Sequence, residues 1–350
     1  LLAAAEEKVL ANAGLSSRTD LDALNDQDLV AALYKSVQPE AVEADYPMFI
    51  IYTSGSTGKP KGVVHVHGGY VAGIAHTMKV SFDATPGKDI MWVIADPGWI
   101  TGQSYMISGA LSARIPSVVV EGSPVFPHTG RFSSIIERYG VTIFKAGSTF
   151  LKGIMTDRQN RADVDRYDMS SLKVATFCAE PTSPSVQEFA MALMTPQYIN
   201  SYWATEHGGI VWTHPYGNAE MPLRADAHTY PLPWIFGDIW IPEGVADENG
   251  RVAYRSADCE EKGEIVITRP YLYLARTIWG DAENVGSADW KGDIERFEDT
   301  YFGRFRNEDG TPAYGYLQGD FARKYEDGSF SLHGRSDDVI NVSGHRMGTE

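Results

Sequence analysis

Residues 52–62, which read YTSGSTGKPKG, concentrate groups that can bind phosphate. Their glycines allow tight or left-handed backbone conformations that other residues resist. The hydroxyl and backbone N–H groups can donate hydrogen bonds to phosphate oxygens, and the lysines add positive charge. The stretch therefore indicates a phosphate-binding loop, whose candidate contacts are Thr53, Ser54, Gly55, Ser56, Thr57, Gly58, Lys59 and Lys61.

Short apolar runs at residues 48–51 and 63–66 flank this loop and predict a strand on either side of it. A Walker phosphate loop would need a glycine five residues before Gly58 and would open a helix. Thr53 stands at that position and Pro60 follows the lysine, so the sequence excludes a Walker loop. A surface turn rich in glycine and serine is the alternative interpretation from the residues alone.

Two further stretches follow strand-like runs, and the carboxyl ends of parallel strands commonly form ligand clefts. Residues 96–105 read DPGWITGQSY and place Trp99 between glycines, which suits the wall of a cleft as well as a core position. Residues 177–181 read FCAEP and precede a helical stretch. Because no partner base for Cys178 is identifiable, an inert thiol is expected there and not a nucleophile.

Charged side chains near the C-terminal end supply further candidate chemistry. Asp320 suits the ribose of a nucleotide, because a carboxylate can accept hydrogen bonds from both ribose hydroxyls. Arg335 and Arg346 are permanently charged, forked donors for ribose or phosphate oxygens. Surface salt bridges are the alternative role for these side chains.

The composition is that of a globular protein, with 350 residues of which 43% are hydrophobic and 22% are charged. A net charge of −16 argues against a general affinity for nucleic acid or anionic membranes, so an anionic ligand must meet local positive groups. No apolar run approaches the length of a membrane span. Two cysteines, Cys178 and Cys259, are too few for a disulfide framework, which makes a cytoplasmic location the expectation.

The pattern of apolar runs changes along the chain. Residues 1–45 are predicted to form a helical lead-in segment, whereas residues 46–212 alternate strand-like and helical stretches, which indicates an α/β fold with substantial parallel sheet. Residues 213–334 are richer in strand-like runs, proline and glycine, which predicts a β-rich subdomain. Because the chain starts at Leu1 and ends inside a sequence that looks unfinished, it is expected to be an internal piece of a longer protein.

The glycine-rich loop and the later candidate stretches, in their order along the chain, resemble the motifs of the adenylate-forming superfamily. This superfamily includes acyl-CoA synthetases, luciferases and peptide-synthetase adenylation domains. The loop TSGSTGKPKG resembles the phosphate loop of that superfamily, and residues 98–105 resemble the GWxTGxSY segment of acetyl-CoA and propionyl-CoA synthetases. Two further stretches are similar to sequences of the same branch: ARTIWGD at residues 275–281 and NVSGHRMGT at residues 341–349. The chain most resembles the acyl-CoA synthetase region of the fused bacterial propionyl-CoA synthases, so fusion to further catalytic domains is expected.

The resemblance implies an α/β fold with mixed sheets, helices and a β-rich subdomain, which is part of the N-terminal large domain of an adenylate-forming enzyme. Residues 335–350 would be the hinge and the start of a truncated C-terminal domain, with the pivot at Asp337. In relatives the small C-terminal domain carries an adenylation lysine, which would lie beyond Glu350. This piece alone is therefore expected to adenylate poorly.

The resemblance also assigns roles to single residues. Tyr202 would lie against adenine, Thr205 would contact the α-phosphate, and Glu206 would ligate Mg²⁺, a role that suits a carboxylate between phosphates. A coenzyme A contact is implied for Ser343. Further nucleotide contacts are implied for Ala179, Glu180, Pro181, Ser201, Trp203, Ala204, Asp320, Arg335 and Arg346. The residues implied in catalysis are Thr57, Lys61, Thr205, Glu206 and Arg346.

The acyl pocket that the resemblance implies consists of Trp99, Ile100, Thr101, Cys178 and Trp203. The indole of Trp203 would close this pocket and leave room for only about two or three carbons.

The implied activity is the ATP-dependent conversion of 3-hydroxypropionate, propionate, acrylate or acetate to an acyl-adenylate and then to acyl-CoA, with release of pyrophosphate and AMP. Two alternatives stay open: an adenylation domain that loads a carrier protein, and a catalytically incomplete fragment that binds nucleotide.

Overall fold

The computed structural model describes residues 10–11, 14–25, 27–28, 31, 39–53, 60–178, 182–336, 340–342 and 345–347. The chain forms two compact units, residues 1–43 and residues 44–350. In the first unit a short helix spans Arg18–Asp22. The Ser17 hydroxyl accepts a hydrogen bond of 3.3 Å from the backbone N–H of Asp20, which satisfies one of the free N–H groups of the first helical turn.

Strands and helices alternate through the first part of the second unit, and strands dominate the rest. In chain order the strands are β1 (Pro47–Thr53), β2 (Lys61–Val66), β3 (Met91–Val93), β4 (Ser117–Val118), β5 (Ile143–Gly147), β6 (Val174–Cys178), β7 (Tyr198–Ile199), β8 (Trp212–Thr213), β9 (Tyr230–Pro231), β10 (Gly237–Glu243), β11 (Val252–Ser256), β12 (Gly263–Ile267), β13 (Thr277–Ile278), β14 (Phe305–Arg306), β15 (Tyr316–Lys324), β16 (Phe330–Arg335), β17 (Ile340–Val342) and β18 (His345–Met347). The α-helices span His67–Phe82, Ala110–Ala113, Arg131–Tyr139, Ser148–Thr156, Arg158–Val164, Pro184–Leu193 and Ile294–Tyr301, with a π-helix at Gly102–Gly109 and a 3₁₀-helix at Ala282–Asn284.

The helix Arg131–Tyr139 shows how local sequence sets these elements. Phe132 and Ile136 lie four residues apart, so both fall on the face that the helix buries. The helix ends at Gly140, whose φ of +61° is the left-handed conformation that glycine adopts at low cost. Among the described residues, no helix is both long and apolar enough to cross a membrane.

The glycine-rich loop is carried by an antiparallel hairpin of β1 and β2, with Thr53 opposite Lys61 at the end that bears the loop. The strands predicted on either side of the loop are thereby confirmed. Residues 54–59 of the loop itself lie outside the described residues. Strand β13 pairs with the other edge of β2 and completes this small sheet.

Within the described residues, the strands β4-β3-β5-β6-β7, in that order, form a sheet in which every neighbouring pair is parallel. This confirms the parallel sheet predicted from the alternating pattern. Because parallel strands end at the same edge, residues 94–102 after β3 and residues 200–206 after β7 start from one edge of the sheet.

The parallel sheet is buried on both faces, as such sheets usually are. Ile143 and Val174 belong to a cluster that includes the buried face of the helix His67–Phe82. Their chain neighbours Phe144 and Ala175 belong to a second cluster on the opposite face. The alternation follows from the two-residue period of a strand.

A larger sheet in the strand-rich region has the order β14-β11-β10-β12-β15-β16. Its pairs are antiparallel except that β11 and β14 run parallel. The register of β15 and β16 places Asp320 opposite Arg335. The predicted β-rich fold is confirmed here, and two predicted site residues become cross-strand neighbours.

Gly73 allows the helix His67–Phe82 to pack directly against an aromatic ring. A Cβ atom at Gly73 would lie 2.1 Å from Cδ1 of Tyr273. The Tyr273 hydroxyl in turn donates a hydrogen bond of 2.7 Å to the Ile210 carbonyl, close to the candidate site.

We expect Gly73→Ala to lower the free energy of unfolding by about 1–3 kcal/mol, because the added methyl overlaps a packed ring. Gly153→Ala, in the helix Ser148–Thr156, is the matched control, since a Cβ atom there would meet no described neighbour within 4 Å. Alanine should be neutral at Gly153 or stabilise by about 0.5–1 kcal/mol. Urea unfolding of both variants measures the difference, and equal effects would contradict the packing argument.

Three buried histidines make stability depend on pH. Burial lowers the pKa of His65 from 6.5 to about 4, although a hydrogen bond to the Thr205 backbone opposes this shift. Burial likewise lowers the pKa of His207 to about 3 and that of His214 to about 4. Below pH 6.5 the unfolded chain therefore binds protons at these sites that the folded chain does not bind. The contribution of these histidines to the free energy of unfolding is fully present above pH 6.5 and is lost as the pH falls toward 4.

His65→Gln should make the free energy of unfolding fall by about 2–3 kcal/mol less between pH 7 and pH 4 than in the unaltered chain, because the titrating group is gone. Glutamine keeps an N–H donor for the Thr205 carbonyl. Urea unfolding across this pH range measures the slope, with His128→Gln at an exposed position as the control. A slope that does not change in His65→Gln would show that His65 titrates normally.

Candidate active site

Three sheets meet at the candidate site. Lys61 begins β2 of the hairpin sheet, and residues 200–206 follow β7 of the parallel sheet. Asp320 lies on β15 and Arg335 ends β16 of the antiparallel sheet. Side-chain hydrogen bonds join Tyr202 to Asp320 and Glu206 to Gln318 of β15, so folding brings these candidate residues together.

Tyr202 and Asp320 form one half of the site. The Tyr202 hydroxyl donates a hydrogen bond of 2.5 Å to Oδ2 of Asp320. Burial, and then the negative charge of Asp320, raise the pKa of Tyr202 well above its ordinary value, so the phenol keeps its proton and remains a donor. Nη1 of Arg335 lies 3.7 Å from Oδ1 of Asp320 and donates to the Gln318 carbonyl at 2.9 Å.

Gly319 permits the close approach of these groups. Its φ is +86°, and a Cβ atom there would lie 3.3 Å from Nη2 of Arg335. A side chain at Gly319 would therefore be strained by the backbone and crowded by the guanidinium. The result is a mostly buried carboxylate beside a tyrosine and an arginine, and this carboxylate can accept hydrogen bonds from the hydroxyls of a ribose.

Glu206 forms the other half of the site. This residue is buried, with 4% of its surface exposed. The Tyr301 hydroxyl donates to its Oε1 atom. The Gln318 side-chain amide donates to its Oε2 atom at 3.0 Å, and the Tyr316 hydroxyl donates to the amide oxygen of Gln318. Burial, and then the charge of Glu206, raise the pKa of Tyr301 and of Tyr316, which keeps both phenols protonated.

The base of the glycine-rich loop lies beside this carboxylate. Nζ of Lys61 is 4.8 Å from the centre of the Tyr301 ring. Opposite Lys61, Oγ1 of Thr53 is buried and forms no hydrogen bond with the described residues. A buried hydroxyl without a partner is costly unless a ligand or water bonds to it.

The turn that carries Glu206 is held by contacts from distant segments. Nε2 of His65 donates to the Thr205 carbonyl at 2.8 Å, and the Ala275 N–H donates to the Glu206 carbonyl at 2.8 Å. The Ser104 hydroxyl donates to the Gly208 carbonyl at 2.5 Å. Sequence reasoning did not identify these anchors, because each joins residues far apart along the chain.

Trp203 is buried and packs edge-on against Tyr105, with ring centres 5.2 Å apart. Nζ of Lys145 lies 5.3 Å from the centre of the indole. Lys145 is fully buried and donates to Oγ of Ser201 at 3.2 Å. Sequence reasoning missed this lysine, although its place inside the apolar run of β5 was a signal that could have identified it.

The Ser201 hydroxyl is engaged within the protein. It donates to the Phe177 carbonyl and accepts a hydrogen bond of 2.9 Å from Thr176. A nucleotide contact by Ser201 would therefore come from its backbone. The neighbouring Ala204 donates its backbone N–H to Nδ1 of His207 at 3.0 Å.

The other predicted pocket residues differ in their surroundings. Trp99 is 71% exposed, whereas Ile100 is buried and Thr101 is partly buried at the start of the helical segment. A Cβ atom at Gly102 would lie 2.3 Å from the Asp96 carbonyl oxygen, so glycine is required for this turn. Cys178 ends β6, and its side chain lies outside the described part of the structure. Their place in one acyl pocket stays a prediction.

Several predicted contacts, and the predicted hinge pivot Asp337, lie outside the described residues. The contacts are Ser54, Gly55, Ser56, Thr57, Gly58, Lys59, Ala179, Glu180, Pro181 and Ser343. The backbone of Arg346 lies in β18, which pairs with β17, but its side chain is not part of the description.

The residues present suit a nucleotide with a magnesium ion. The described part of the chain contains no group of three or more His, Cys, Asp or Glu side chains that could hold a metal ion. A magnesium ion at Glu206 would therefore take phosphate oxygens and water as its other ligands, which is its usual mode in phosphate-transfer sites. Among the described residues, each Glu206 oxygen accepts one hydrogen bond, which leaves a further lone pair for such a ligand.

Comparison with known proteins identifies the family of the chain. The model of the family "AMP-binding enzyme" matches residues 2–279. Acetyl-coenzyme A synthetase of Pyrobaculum aerophilum is 38% identical over 316 residues, which cover 89% of this chain and 42% of that protein. The Salmonella typhimurium protein of the same name is 36% identical over 326 residues, which cover 92% of this chain and 45% of that protein. The chain thus spans less than half the length of these relatives.

The fold is also found among solved structures. An anthranilate CoA ligase in complex with anthranoyl-AMP matches 92% of this chain and 54% of its own, with a TM-score of 0.67 and 18% sequence identity. This likeness confirms the predicted fold. The family match, which spans most of the chain, shows that the chain belongs to the AMP-binding enzymes of the adenylate-forming superfamily.

Proposed function

We propose that this chain binds ATP and activates a short-chain carboxylic acid for thioester formation with coenzyme A. The observation that carries this proposal is that strand β15 links two carboxylates. Asp320 of β15 accepts a hydrogen bond from Tyr202, and Gln318 of β15 donates one to Glu206. One arrangement thus offers a carboxylate for ribose hydroxyls and a second carboxylate for a phosphate-bound cation. The similarity to acetyl-coenzyme A synthetases supports the choice of a small acid.

The reaction proceeds in two displacements. A carboxylate oxygen of the acid attacks the α-phosphorus of ATP, the bond to the β-phosphate oxygen breaks, and pyrophosphate leaves. The sulfur of coenzyme A then attacks the acyl carbon, the bond to AMP breaks, and the thiol proton passes to solvent. A magnesium ion bound at Glu206 would stabilise the negative charge of the phosphates.

The side chains of this protein bind and orient the reactants. Asp320 accepts the ribose hydroxyls, while Tyr202 and Arg335 hold that carboxylate in place. Lys61, Thr57 and Thr205 would contact the phosphates and stabilise the charge that develops during attack. Arg346 supplies a further charge from the hinge segment. Trp203 closes the acyl pocket and keeps the acid in line with the α-phosphorus.

The acids that fit this proposal are 3-hydroxypropionate, propionate, acrylate and acetate. The resemblance to the synthetase region of propionyl-CoA synthases favours the first of these, in a longer cytoplasmic protein with further catalytic domains.

Asp320→Asn should weaken AMP binding by about 10- to 100-fold, because a buried charge-assisted acceptor is lost. Isothermal titration calorimetry with AMP and the 350-residue chain measures the affinity. Asp309→Asn, on an exposed loop, is the matched control and should bind AMP as the unaltered chain does. AMP binding of ordinary strength by Asp320→Asn would remove this carboxylate from the nucleotide site.

Trp203→Gly should gain affinity for longer acyl groups. The probes are non-hydrolysable acyl-sulfamoyl adenosines with acyl groups from acetyl to hexanoyl, titrated into each protein. The unaltered chain should favour the shortest acyl groups, and the variant should bind the hexanoyl mimic about 10-fold more tightly or better, because each methylene in such a pocket changes binding by about 1–3 kcal/mol. The AMP affinity of each protein is measured alongside, so that a change in nucleotide binding is separated from a change in acyl preference. If the order of acyl preference stays the same, Trp203 does not close the pocket.

A further inference from the structure

Tyr301 contacts two groups that the proposed function assigns to phosphate chemistry. Its hydroxyl donates to Oε1 of Glu206, the candidate metal carboxylate. The face of its ring meets Nζ of Lys61 at 4.8 Å from the ring centre. Lys61 is the first residue of β2, next to the glycine-rich loop. One tyrosine therefore fixes the carboxylate relative to the base of the loop.

Gln318 holds the other oxygen of the same carboxylate. Its side-chain amide donates to Oε2 of Glu206 at 3.0 Å. The Tyr316 hydroxyl donates to the amide oxygen of Gln318. Because the oxygen side of the amide is taken by this donor, the NH₂ side faces Glu206. Tyr316 thus determines which way the Gln318 amide is turned.

The two groups that hold Glu206, Tyr301 on one side and Gln318 with Tyr316 on the other, also contact each other. The rings of Tyr301 and Tyr316 stack with centres 5.4 Å apart and planes tilted by 22°. Two donors, one on each oxygen, fix the plane of the Glu206 carboxylate. Groups that hydrogen-bond to a metal ligand in this way commonly set metal affinity, although they never touch the metal.

We propose that Tyr301 and Gln318 are positioning residues that orient the Glu206 carboxylate toward a divalent cation bound to the ATP phosphates. The proposal rests on the proposed function for the presence of ATP at the site. It assigns to Tyr301 the further task of fixing the separation between Glu206 and Lys61. AMP, which lacks the β- and γ-phosphates, does not depend on this separation.

The test compares metal-bound ATP with metal-free AMP. Tyr301→Phe removes the hydroxyl but keeps the ring beneath Lys61, and Gln318→Leu removes the other donor. Each variant should bind Mn²⁺–ATP about 10- to 100-fold more weakly, the usual size of an effect transmitted through a metal ligand. Electron paramagnetic resonance of Mn²⁺ and calorimetry give the affinities. Binding of AMP in the presence of EDTA should stay unchanged.

Tyr314→Phe is the matched control, because Tyr314 is 80% exposed and belongs to the same segment as Tyr316. It should leave both affinities unchanged. Tyr316→Phe should weaken Mn²⁺–ATP binding less than Gln318→Leu does, since it frees the amide to turn but does not remove the donor.

The outcomes separate this inference from the proposed function. Equal losses for Mn²⁺–ATP and AMP in Tyr301→Phe and Gln318→Leu would show a general structural role and overturn the inference. Unchanged Mn²⁺–ATP affinity in both variants would overturn it as well. If the unaltered chain binds AMP but Mn²⁺ does not increase its affinity for ATP, the inference fails while nucleotide binding stands. If the unaltered chain binds neither nucleotide, the proposed function itself fails.

Discussion

The buried carboxylate of Glu206 is the constraint on which the site depends. An ionised carboxylate removed from water costs several kcal/mol unless hydrogen bonds replace its solvent. Tyr301 and Gln318 supply these bonds from a helix and a strand that are distant in sequence. Those two elements must therefore lie against the turn that follows the parallel sheet. The backbone of the same turn is fixed by His65, which follows the loop in the hairpin sheet.

This convergence explains why the site is rich in tyrosine. A phenol can donate to a carboxylate and at the same time bury an aromatic surface, so it serves both the charge and the core. Tyr202, Tyr301 and Tyr316 all act as donors at the site, and the pKa of each is raised by burial. The three hydroxyls therefore keep their protons across the physiological pH range. Tyrosine can then hold the carboxylates without adding positive charge to the interior.

The charge distribution suits an anionic ligand only locally. The chain carries a net charge of −16, so the field of the whole molecule repels a nucleotide at long range. Lys61 and Arg335 lie at the candidate site, on two different sheets. Under the proposed function, short-range hydrogen bonds and these cations would therefore hold the phosphates and ribose. A bound divalent cation would reduce the remaining repulsion from Glu206 and Asp320.

The sequence by itself determined the parts of this protein that depend on local pattern. Short apolar runs predicted the strands on both sides of the glycine-rich loop, and alternating strand and helix patterns predicted the parallel sheet. The order of the motifs also indicated the superfamily and named Tyr202, Glu206 and Asp320 as candidates. The strands and the sheet could be predicted because periodicity and turn residues act over a few neighbouring positions, whereas the candidate residues came from the resemblance of the motifs to that superfamily.

Only the tertiary structure decided how the candidates are held. His65 and Thr205 are 140 residues apart in sequence, Gln318 and Glu206 are 112 apart, and Tyr301 and Glu206 are 95 apart. No local pattern pairs them, because such contacts arise from the packing of one sheet against another. The buried position of Lys145 beneath Trp203 has the same origin. A strand pattern identifies a lysine among apolar residues, but the neighbours that surround it are set by the fold.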